Sequence, residues 1–242
     1  MQRIINPMFR KILVIVFILS TSTLYSQKYL GIIGGVNYTM LTPYDKNGNK
    51  NEIKSRFSYT LGTSFQINIY KKFDLLMELD YSNYSATITS IVKTDSSGGH
   101  YKYDLNLGYA SISILPQYSF GKNKIFFLSA GPFLSVLINS NRDGFHSSFY
   151  HPQNSIYYGE YYENLSGSAD SYFKRLDFGI ISSIGFKFRI SDRLSILPII
   201  NYRLGLINIG KNYFKTYNLS IFNRNASLVV RMDINLSKKA SL

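Results

Sequence analysis

The residues of this chain that could do chemistry are few. His146 and His151 lie near Asp143, a set that could form a metal site or an acid–base pair beside a serine hydroxyl, and His100 lies further upstream. The spacing matches no metal or catalytic motif, and histidines in loops are usually solvated. The chain has no Cys, which excludes thiolate metal sites and disulfides. The sequence therefore predicts no catalytic residue, no metal and no cofactor.

A second group of candidates consists of charged residues at alternating positions of apolar stretches. Their side chains would share one face of an extended strand, where carboxylates and guanidinium groups could pair. Such a cluster could form a proton path or an active site, but charges of both signs also pair across narrow β-barrels and plug them. We interpret this group as a structural lumen charge cluster. Its members are Glu78, Asp80, Arg175, Asp177, Lys187, Arg189, Arg203, Arg231 and Asp233.

The elements that must position these charges are β-strands, because apolar and other residues alternate along the chain with a period of two. In residues 175–190 the even positions are nearly all apolar, whereas the odd positions are mostly charged residues, glycine and serine. Eight such stretches can be read, and most are long enough to span a membrane at a tilt. They begin near Leu30, Phe57, Phe73, Ala110, Ile125, Arg175, Arg193 and Ala226.

The connections alternate between short and long, which is typical of an up-and-down meander. Short turns are expected at Lys71 and Lys72, at residues 121–124, and at Ser191 and Asp192. Long outer loops are expected over residues 41–56, 87–102, 139–173 and 208–224. Proline removes a ladder donor and is usually tied to a bulge, so bulges are expected at three positions within strands. These are Pro116, Pro132 and Pro198.

The polar face distinguishes a membrane barrel from a soluble one. A soluble lipocalin-like carrier turns its apolar face inward, whereas a membrane barrel turns that face to lipid. Small residues on the polar face suit the narrow interior of a small barrel. The sequence predicts an all-β fold, an eight-stranded antiparallel up-and-down transmembrane β-barrel, with the soluble carrier as the alternative. The small residues are Gly31, Gly35, Ser64, Ser129, Gly131, Gly179, Ser183, Gly185 and Gly205.

Residues 1–26 have the pattern of a cleaved secretory signal peptide. Arg3, Arg10 and Lys11 precede an apolar run over residues 12–19, which small polar residues follow. That run is far shorter than the ~20 residues of a helical membrane span. Residues 27–242 would then form a single barrel domain. The net charge of +13 falls to +10 on cleavage, and for an exported protein the expected anionic partners are lipid phosphates and not nucleic acid.

The predicted outer loops contain two candidate binding surfaces. Aromatic rings on a rigid scaffold make adaptable contact surfaces for a protein partner, but they could instead fold over the barrel mouth or rest at the membrane interface. In the third loop these candidates are Phe145, Phe149, Tyr150, Tyr157, Tyr158, Tyr161 and Tyr162. Cations of the first and fourth loops are placed to meet lipid phosphates. They are Lys46, Lys50, Lys54, Arg56, Lys211 and Lys215.

Three stretches of the chain resemble PorT-like outer-membrane β-barrel proteins. Residues 107–138 resemble the Tyr-x-x-Ile-Pro…Gly-Pro pattern of that family, and residues 173–188 resemble its Asp-Phe-Gly…Gly strand. The opening "YLGIIGGVNYTML" resembles its glycine-rich first strand. The resemblance implies a non-enzymatic barrel in the outer membrane of a Gram-negative cell, and some members are implicated in protein secretion. A barrel enzyme acting on lipids or peptides stays as a further alternative.

Overall fold

The computed structural model describes residues 27–45, 51–93, 97–150, 159–211 and 219–237, so the predicted signal peptide lies outside the described residues. The chain is built of strands, and a 3-10 turn covers Lys122–Lys124. No helix in these ranges is long and apolar enough to cross a bilayer. The strands are β1 (Lys28–Thr39), β2 (Thr42–Asp45), β3 (Asn51–Ser55), β4 (Phe57–Tyr70), β5 (Phe73–Lys93), β6 (Ser97–Phe120), β7 (Phe126–Tyr150), β8 (Gly159–Asn164), β9 (Gly167–Ser168), β10 (Leu176–Phe186), β11 (Phe188–Arg189), β12 (Leu194–Gly205), β13 (Leu219–Phe222) and β14 (Arg224–Asn235).

Eight long strands form a closed antiparallel ring. The order is β1, β4, β5, β6, β7, β10, β12, β14 and back to β1, and the pairing of β14 with β1 joins the last long strand to the first. The described sheet has twelve strands, because β3, β8, β9 and β11 add to its rims, while β2 and β13 form a separate pair. Closure leaves the ring no free edge, so its backbone groups pair internally. The predicted up-and-down β-barrel is confirmed.

Side chains alternate between the lumen and the outside, as expected. In β10, every second residue is buried and the residues between are exposed. The exposed set is mainly apolar, with Ile32 61%, Leu79 59% and Ile200 59% exposed; Thr63 and Ser182 are polar exceptions. The transfer of each such side chain from an apolar medium to water would cost a free energy of roughly 1.5–3 kcal/mol. The outer face therefore requires lipid, and the alternative of a soluble carrier is wrong.

Aromatic rings mark both edges of the lipid-facing band. At the end with the short turns, successive contacts join Phe73, Tyr118, Phe120, Phe126 and Phe186. At the other end, Tyr38 contacts Phe57 and Tyr59 contacts Tyr81. Along β5 the two girdles are separated by the eight-residue step from Phe73 to Tyr81. At ~3.3 Å per residue and a tilt of about 40°, that step spans roughly 20 Å, close to the apolar band of a membrane barrel.

Glycines face the lumen where phenylalanine rings fill it. A Cβ atom on Gly185 would lie 2.4 Å from Cζ of Phe127, and one on Gly179 would lie 2.7 Å from Cε1 of Phe133. Both distances are far below van der Waals contact. Glycine is therefore required at these positions by the packing of the lumen.

The predicted outer loop over residues 87–102 is wrong, and the one predicted over residues 139–173 is wrong for residues 139–150. Strands β5 and β6 continue through the first of these ranges as far as the pair Lys93 and Gly98, and β7 continues through the second. The segment "SATITSIVK" is rich in β-branched residues, which favour a strand even where no lipid faces them. We call the part of the sheet beyond the barrel mouth the sheet extension. It comprises β3, residues 83–93, residues 97–108, residues 139–150 and β8.

Connecting segments cover the inner face of the sheet extension. Tyr84, Leu105 and Leu107 of the extension are buried in one apolar cluster with residues from the connections, among them Phe173 and Ile209. The pair of strands β2 and β13 lies in the same connections. The mouth of the barrel is thus closed by a small apolar core, and only the outer face of the extension is open to its surroundings.

The predicted bulges at the three prolines are wrong. The register passes Pro116 in the β5–β6 pair and Pro198 in the β12–β14 pair without a shift. In the β6–β7 ladder the pairing is interrupted only between Ser113 and Gln117, again without a shift. Pro116 and Pro132 both lie in that interval, so the two backbone N–H donors that proline lacks are missing from the same interruption of the ladder. The register shifts lie elsewhere, at residues 68–70 and 108–109.

The glycine packing gives a first prediction. Gly185→Val should destabilise the folded barrel by about 1–3 kcal/mol, because the new side chain overlaps Phe127. Urea unfolding in lipid vesicles, followed by the heat-dependent mobility shift of folded barrels, measures the change. Gly34→Val is the matched control, since a Cβ there meets only Leu61 Cδ2, at 3.6 Å. An equal loss of unfolding free energy in the two variants would contradict the lumen packing described.

Candidate functional site: the barrel lumen and the outer sheet

Arg231 is the centre of one polar cluster in the lumen. Its side chain is fully buried, and its Nε lies 3.0 Å from Oδ1 of Asp233, a close ion pair without hydrogen-bond alignment. Its Nη2 donates to Oε1 of Gln66 at 2.8 Å, and its Nη1 lies 3.8 Å from Oε1 of Glu78. The guanidinium lies 5.9 Å from the centre of the Phe127 ring. Its charge is thus held by two carboxylates, an amide and a ring face.

Arg203 is the centre of a second cluster. Its Nη2 donates to Asp80 in a buried ion pair, and its Nη1 donates to Oγ of Ser111 at 3.2 Å. Asp80 also accepts a hydrogen bond from Ser82 at 2.8 Å. The guanidinium lies 5.5 Å from the centre of the Phe133 ring. The arrangement repeats that of the first cluster, with a carboxylate, a polar partner and an aromatic ring around each arginine.

Two of these three ion pairs, Arg203–Asp80 and Arg231–Glu78, cross the lumen, whereas Arg231–Asp233 lies within β14. Arg203 belongs to β12 and Arg231 to β14, whereas Asp80 and Glu78 belong to β5, and β5 is a neighbour of neither strand in the ring. Apolar side chains fill the remaining space, including Leu197, Ile199 and Val229. The cavity beside Glu78, Asp80 and Arg203 has a volume of about 10 Å³, the room of about one water molecule. At this level the described lumen is therefore packed and leaves room for about one water molecule.

The structure brings most members of the predicted lumen charge cluster together. Glu78, Asp80, Asp177, Arg203, Arg231 and Asp233 are buried in the lumen. Asp177 accepts a hydrogen bond from Asn223 at 2.9 Å, near the closed mouth. Lys187 is half-buried, with Nζ 4.1 Å from the centre of the Tyr29 ring.

Two members of the predicted cluster lie outside it. Both are exposed: Arg175 precedes β10, and Arg189 lies in β11 at the short-turn end of the barrel, opposite Ser195. The prediction omitted further polar lumen residues, among them Asp74, Gln66 and Asn223. Asp74 and Gln66 carried a usable signal, since both occupy inward positions of the alternation. Asn223 fell in a stretch expected to be a loop.

The histidines are not gathered into a site. His100 contacts the Phe145 ring at a centroid distance of 6.0 Å, and Nδ1 of His146 lies 3.7 Å from Oε2 of Glu163. His151 lies outside the described residues. In the described ranges, no group of three or more histidine and acidic side chains could hold a metal ion.

Aromatic residues of the predicted third loop divide between two faces. Phe145 and Tyr162 are 44% and 68% exposed. Tyr172 and Phe173 turn inward instead, where Tyr172 accepts a hydrogen bond from Nη1 of Arg142 at 3.1 Å. The remaining predicted positions are Phe149 and Tyr150 in β7, Tyr161 in β8, and Tyr157 and Tyr158 outside the described residues.

Hydrogen bonds hold the connecting segments together over the mouth of the barrel. Nζ of Lys174 donates to the carbonyl of Asn208 at 2.6 Å, and Nζ of Lys211 donates to the carbonyl of Asp170 at 2.6 Å. Hydrogen bonds from Ser140 and Ser168 hold the pKa of the Asp170 carboxyl below its ordinary value. Lys211 is therefore engaged at the mouth. Three other cations predicted to meet lipid, Lys46, Lys50 and Lys215, lie outside the described residues.

The sheet extension carries a polar cleft of about 610 Å³, which we call the outer cleft. Arg56 forms an ion pair with Asp104, and Oγ1 of Thr87 donates to the same carboxylate at 2.6 Å. Positive side chains outnumber negative ones around this space. Its lining residues are Lys54, Arg56, Thr87, Thr89, His100, Lys102 and Asp104.

Comparison with known proteins identifies the family. The family model described as outer membrane protein beta-barrel domain matches residues 25–210. The chain belongs to this family. Membership confirms the predicted location in the outer membrane.

Several solved structures match this barrel protein at low sequence identity. Neisserial surface protein A is 11% identical, with 86% of this chain and 97% of that chain covered and a TM-score of 0.42. OprG from Pseudomonas aeruginosa is 14% identical, with 86% and 93% covered and a TM-score of 0.42. CarO2 from Acinetobacter baumannii is 10% identical, with 84% and 99% covered and a TM-score of 0.36. No curated protein matches the chain significantly.

The ion pairs of the barrel give a second prediction. Arg203→Met should destabilise the protein by about 3–5 kcal/mol, because it leaves the Asp80 carboxylate buried without its charge partner. The double variant Arg203→Met/Asp80→Leu should recover most of that loss, since neither charge remains. Urea unfolding in vesicles measures the cycle, and Arg193→Met, at an exposed turn, is the control. A double variant as unstable as the sum of the two single ones would contradict the pairing.

Proposed function

We propose that the protein is a non-enzymatic, non-conducting outer-membrane barrel that presents the sheet extension as a binding surface outside the cell. The observation that carries the proposal is that the same strands form a packed barrel in one part and an open sheet in the other. Below the mouth, crossing ion pairs and apolar side chains fill the lumen. Above it, β5, β6 and β7 continue as a sheet whose outer face stays open.

A packed lumen supports an anchoring role over a transport role. Channels in barrels of this strand number would need an interior free of such packing. The long strands give the extension a fixed orientation, which a flexible loop would lack. Rigid presentation lowers the ordering cost of binding, so it suits a surface that recognises a partner.

The exposed aromatic side chains support a protein as the partner. Phe145 and Tyr162 are large, exposed and carried on paired strands, and aromatic residues of this kind are enriched at the energetic centres of protein interfaces. Their exposure on the outer face distinguishes them from Tyr172 and Phe173, which belong to the closed mouth.

The closed lumen gives a third prediction. Purified protein in planar lipid bilayers should show no unitary conductance under a steady voltage, because the lumen cavity holds about one water molecule. A large-pored porin inserted under the same conditions is the control for detection. Regular, single-sized conductance steps from the wild-type protein would contradict the anchoring role.

The aromatic surface gives a fourth prediction. A photo-crosslinking residue placed at Tyr162 in intact cells should capture a discrete protein partner, and Phe145→Ala should reduce the yield several-fold. The same probe at Tyr118, in the girdle at the opposite end of the barrel, is the control and should give no such product. Equal products from both positions would contradict a partner at the outer face.

A more specific form of the proposal is that this barrel is PorT-like and takes part in protein secretion. It is supported by the sequence resemblance in residues 107–138, which lie in β6, the turn and β7. Deletion of the gene should then reduce the amount of exported protein in the medium. Complementation by the wild-type chain should restore that amount, and complementation by the Phe145→Ala/Tyr162→Ala variant should not. Unchanged secretion after deletion would overturn this specific form alone.

A further inference from the structure

We propose that two adjacent turns, at the end of the barrel opposite the sheet extension, bind the headgroup of an anionic phospholipid. One is the β4–β5 turn, with Lys71 and Lys72, and the other is the β6–β7 turn over residues 121–124, with Lys122 and Lys124. We call these four side chains the lysine cluster. Such a site is distinct from the protein-binding surface proposed above, because its residues lie at the other end of the strands.

The two turns of the lysine cluster are in direct contact. Nζ of Lys124 donates a hydrogen bond to the backbone carbonyl of Lys71. The backbone amide of Ser119 donates to the carbonyl of Lys72 at 2.8 Å. Lys122 follows Ser119 by three residues, so the Cα atoms of these two residues lie at most roughly 11 Å apart. The flexible stems of Lys72 and Lys122 therefore allow both ammonium groups to reach one headgroup.

The lysine cluster carries positive charge that no ion pair neutralises within the described ranges. All four side chains are exposed. Nζ of Lys71 lies 5.0 Å from the centre of the Tyr70 ring, and Lys124 makes the hydrogen bond between the turns, but an ammonium group has three donors and can still bind an anion. The carboxylate nearest in sequence, Asp74, is buried and accepts a hydrogen bond from Nδ2 of Asn68 at 2.7 Å.

The lysine cluster lies at the aromatic girdle of the short-turn end. Phe73 directly follows Lys72, and Phe120 precedes Lys122 by two residues. The rings of Phe120 and Phe126, on the two sides of the β6–β7 turn, stack with their centres 5.6 Å apart. Aromatic rings of membrane proteins are enriched at the level of the lipid headgroups. The ammonium groups therefore lie at the height of the headgroup phosphates.

An apolar patch below the girdle offers a surface for the acyl chains of the same lipid. It lies on β5 and β6, the strands that lead to the two turns, where Met77 is paired with Ile114 and Leu79 with Ile112. These side chains are 39%, 45%, 59% and 40% exposed, respectively. A phospholipid would contact both the lysine cluster and this patch, whereas a soluble anion would contact the lysine cluster alone. The combination favours a lipid as the ligand.

A single Trp can report on the lipid beside the lysine cluster, because the chain contains no other Trp. Tyr118 contacts Phe73 and Phe120 in the girdle, so Tyr118→Trp places the reporter between the two turns. The protein is reconstituted in phosphatidylcholine vesicles that contain a small fraction of brominated phosphatidylglycerol or brominated phosphatidylcholine as the quencher. Both headgroups carry a phosphate, but phosphatidylcholine also carries a cation. Phosphatidylglycerol should quench more strongly at Tyr118→Trp, and the two lipids should quench equally at Tyr202→Trp, on β12.

Charge variants in the Tyr118→Trp background test the residues. Lys72→Gln/Lys122→Gln should reduce the preference for phosphatidylglycerol roughly fivefold or more, because one lysine near an anionic lipid surface contributes about a fivefold factor. Lys72→Arg/Lys122→Arg should retain the preference, since the charge is kept. Arg189→Gln/Arg193→Gln is the matched control, because it removes two exposed cations beside the third short turn at the same end, and it should also retain the preference. The heat-dependent mobility shift verifies that each variant is folded.

Four results would overturn the proposal. Two are equal quenching by the two brominated lipids at Tyr118→Trp and an unchanged preference in Lys72→Gln/Lys122→Gln. The third is an equal loss in Arg189→Gln/Arg193→Gln, which would mean that the charge of the whole rim attracts the lipid. The fourth is relief of the phosphatidylglycerol quenching by inorganic polyphosphate at constant ionic strength, which would assign the lysine cluster to a soluble anion. The crosslinking result at the sheet extension is independent of all four, because these variants leave that surface unaltered.

Discussion

The structure depends on one constraint, that no backbone amide or carbonyl can be left unpaired inside a bilayer. Only ring closure satisfies a sheet there, and the pairing of the last strand, β14, with the first, β1, completes the ring. Once the ring is closed, successive side chains of a strand point alternately to the lipid and to the lumen. Bulky aliphatic residues occupy the first, and the residues directed to the second must fit a narrow cylinder.

A small set of side chains fills this narrow lumen. Each of two arginines spans the cylinder to a carboxylate of β5 and lies against a phenylalanine ring of β7, while the glycines paired with these phenylalanines on the neighbouring strand β10 make room for the rings. Removing two opposite charges from water is costly, and the cost is offset only when the remaining hydrogen-bonding groups are also satisfied. Gln66 and Ser111 contribute to that satisfaction. Charge, ring and glycine therefore form one interdependent unit.

The sequence predicts the barrel and its facing well, because both follow from an alternation of two residues. It predicts Arg203, Arg231 and their carboxylates as lumen residues for the same reason. It fails for Arg175 and Arg189, since alternation does not reveal which strand positions lie at the ends of the barrel, where an inward position is no longer enclosed. It also fails for the sheet extension, because the alternation continues there with the opposite polarity: apolar residues such as Leu105 and Leu107 face inward, and polar residues such as Lys102 and Asp104 face outward. The outer cleft was missed with the extension, as His100 and Lys102 were assigned to a loop.

The unbroken β5–β6 ladder has a mechanical consequence. It runs in one register from the pair Phe73 and Tyr118, in the aromatic girdle at the end with the short turns, to the pair Lys93 and Gly98, at the tip of the sheet extension. A pull on the tip acts along the strand axes and loads the hydrogen bonds of the ladder together in shear. No hinge separates the tip from the barrel along these two strands. Tension applied by whatever holds the tip would therefore pass directly to the part embedded in lipid.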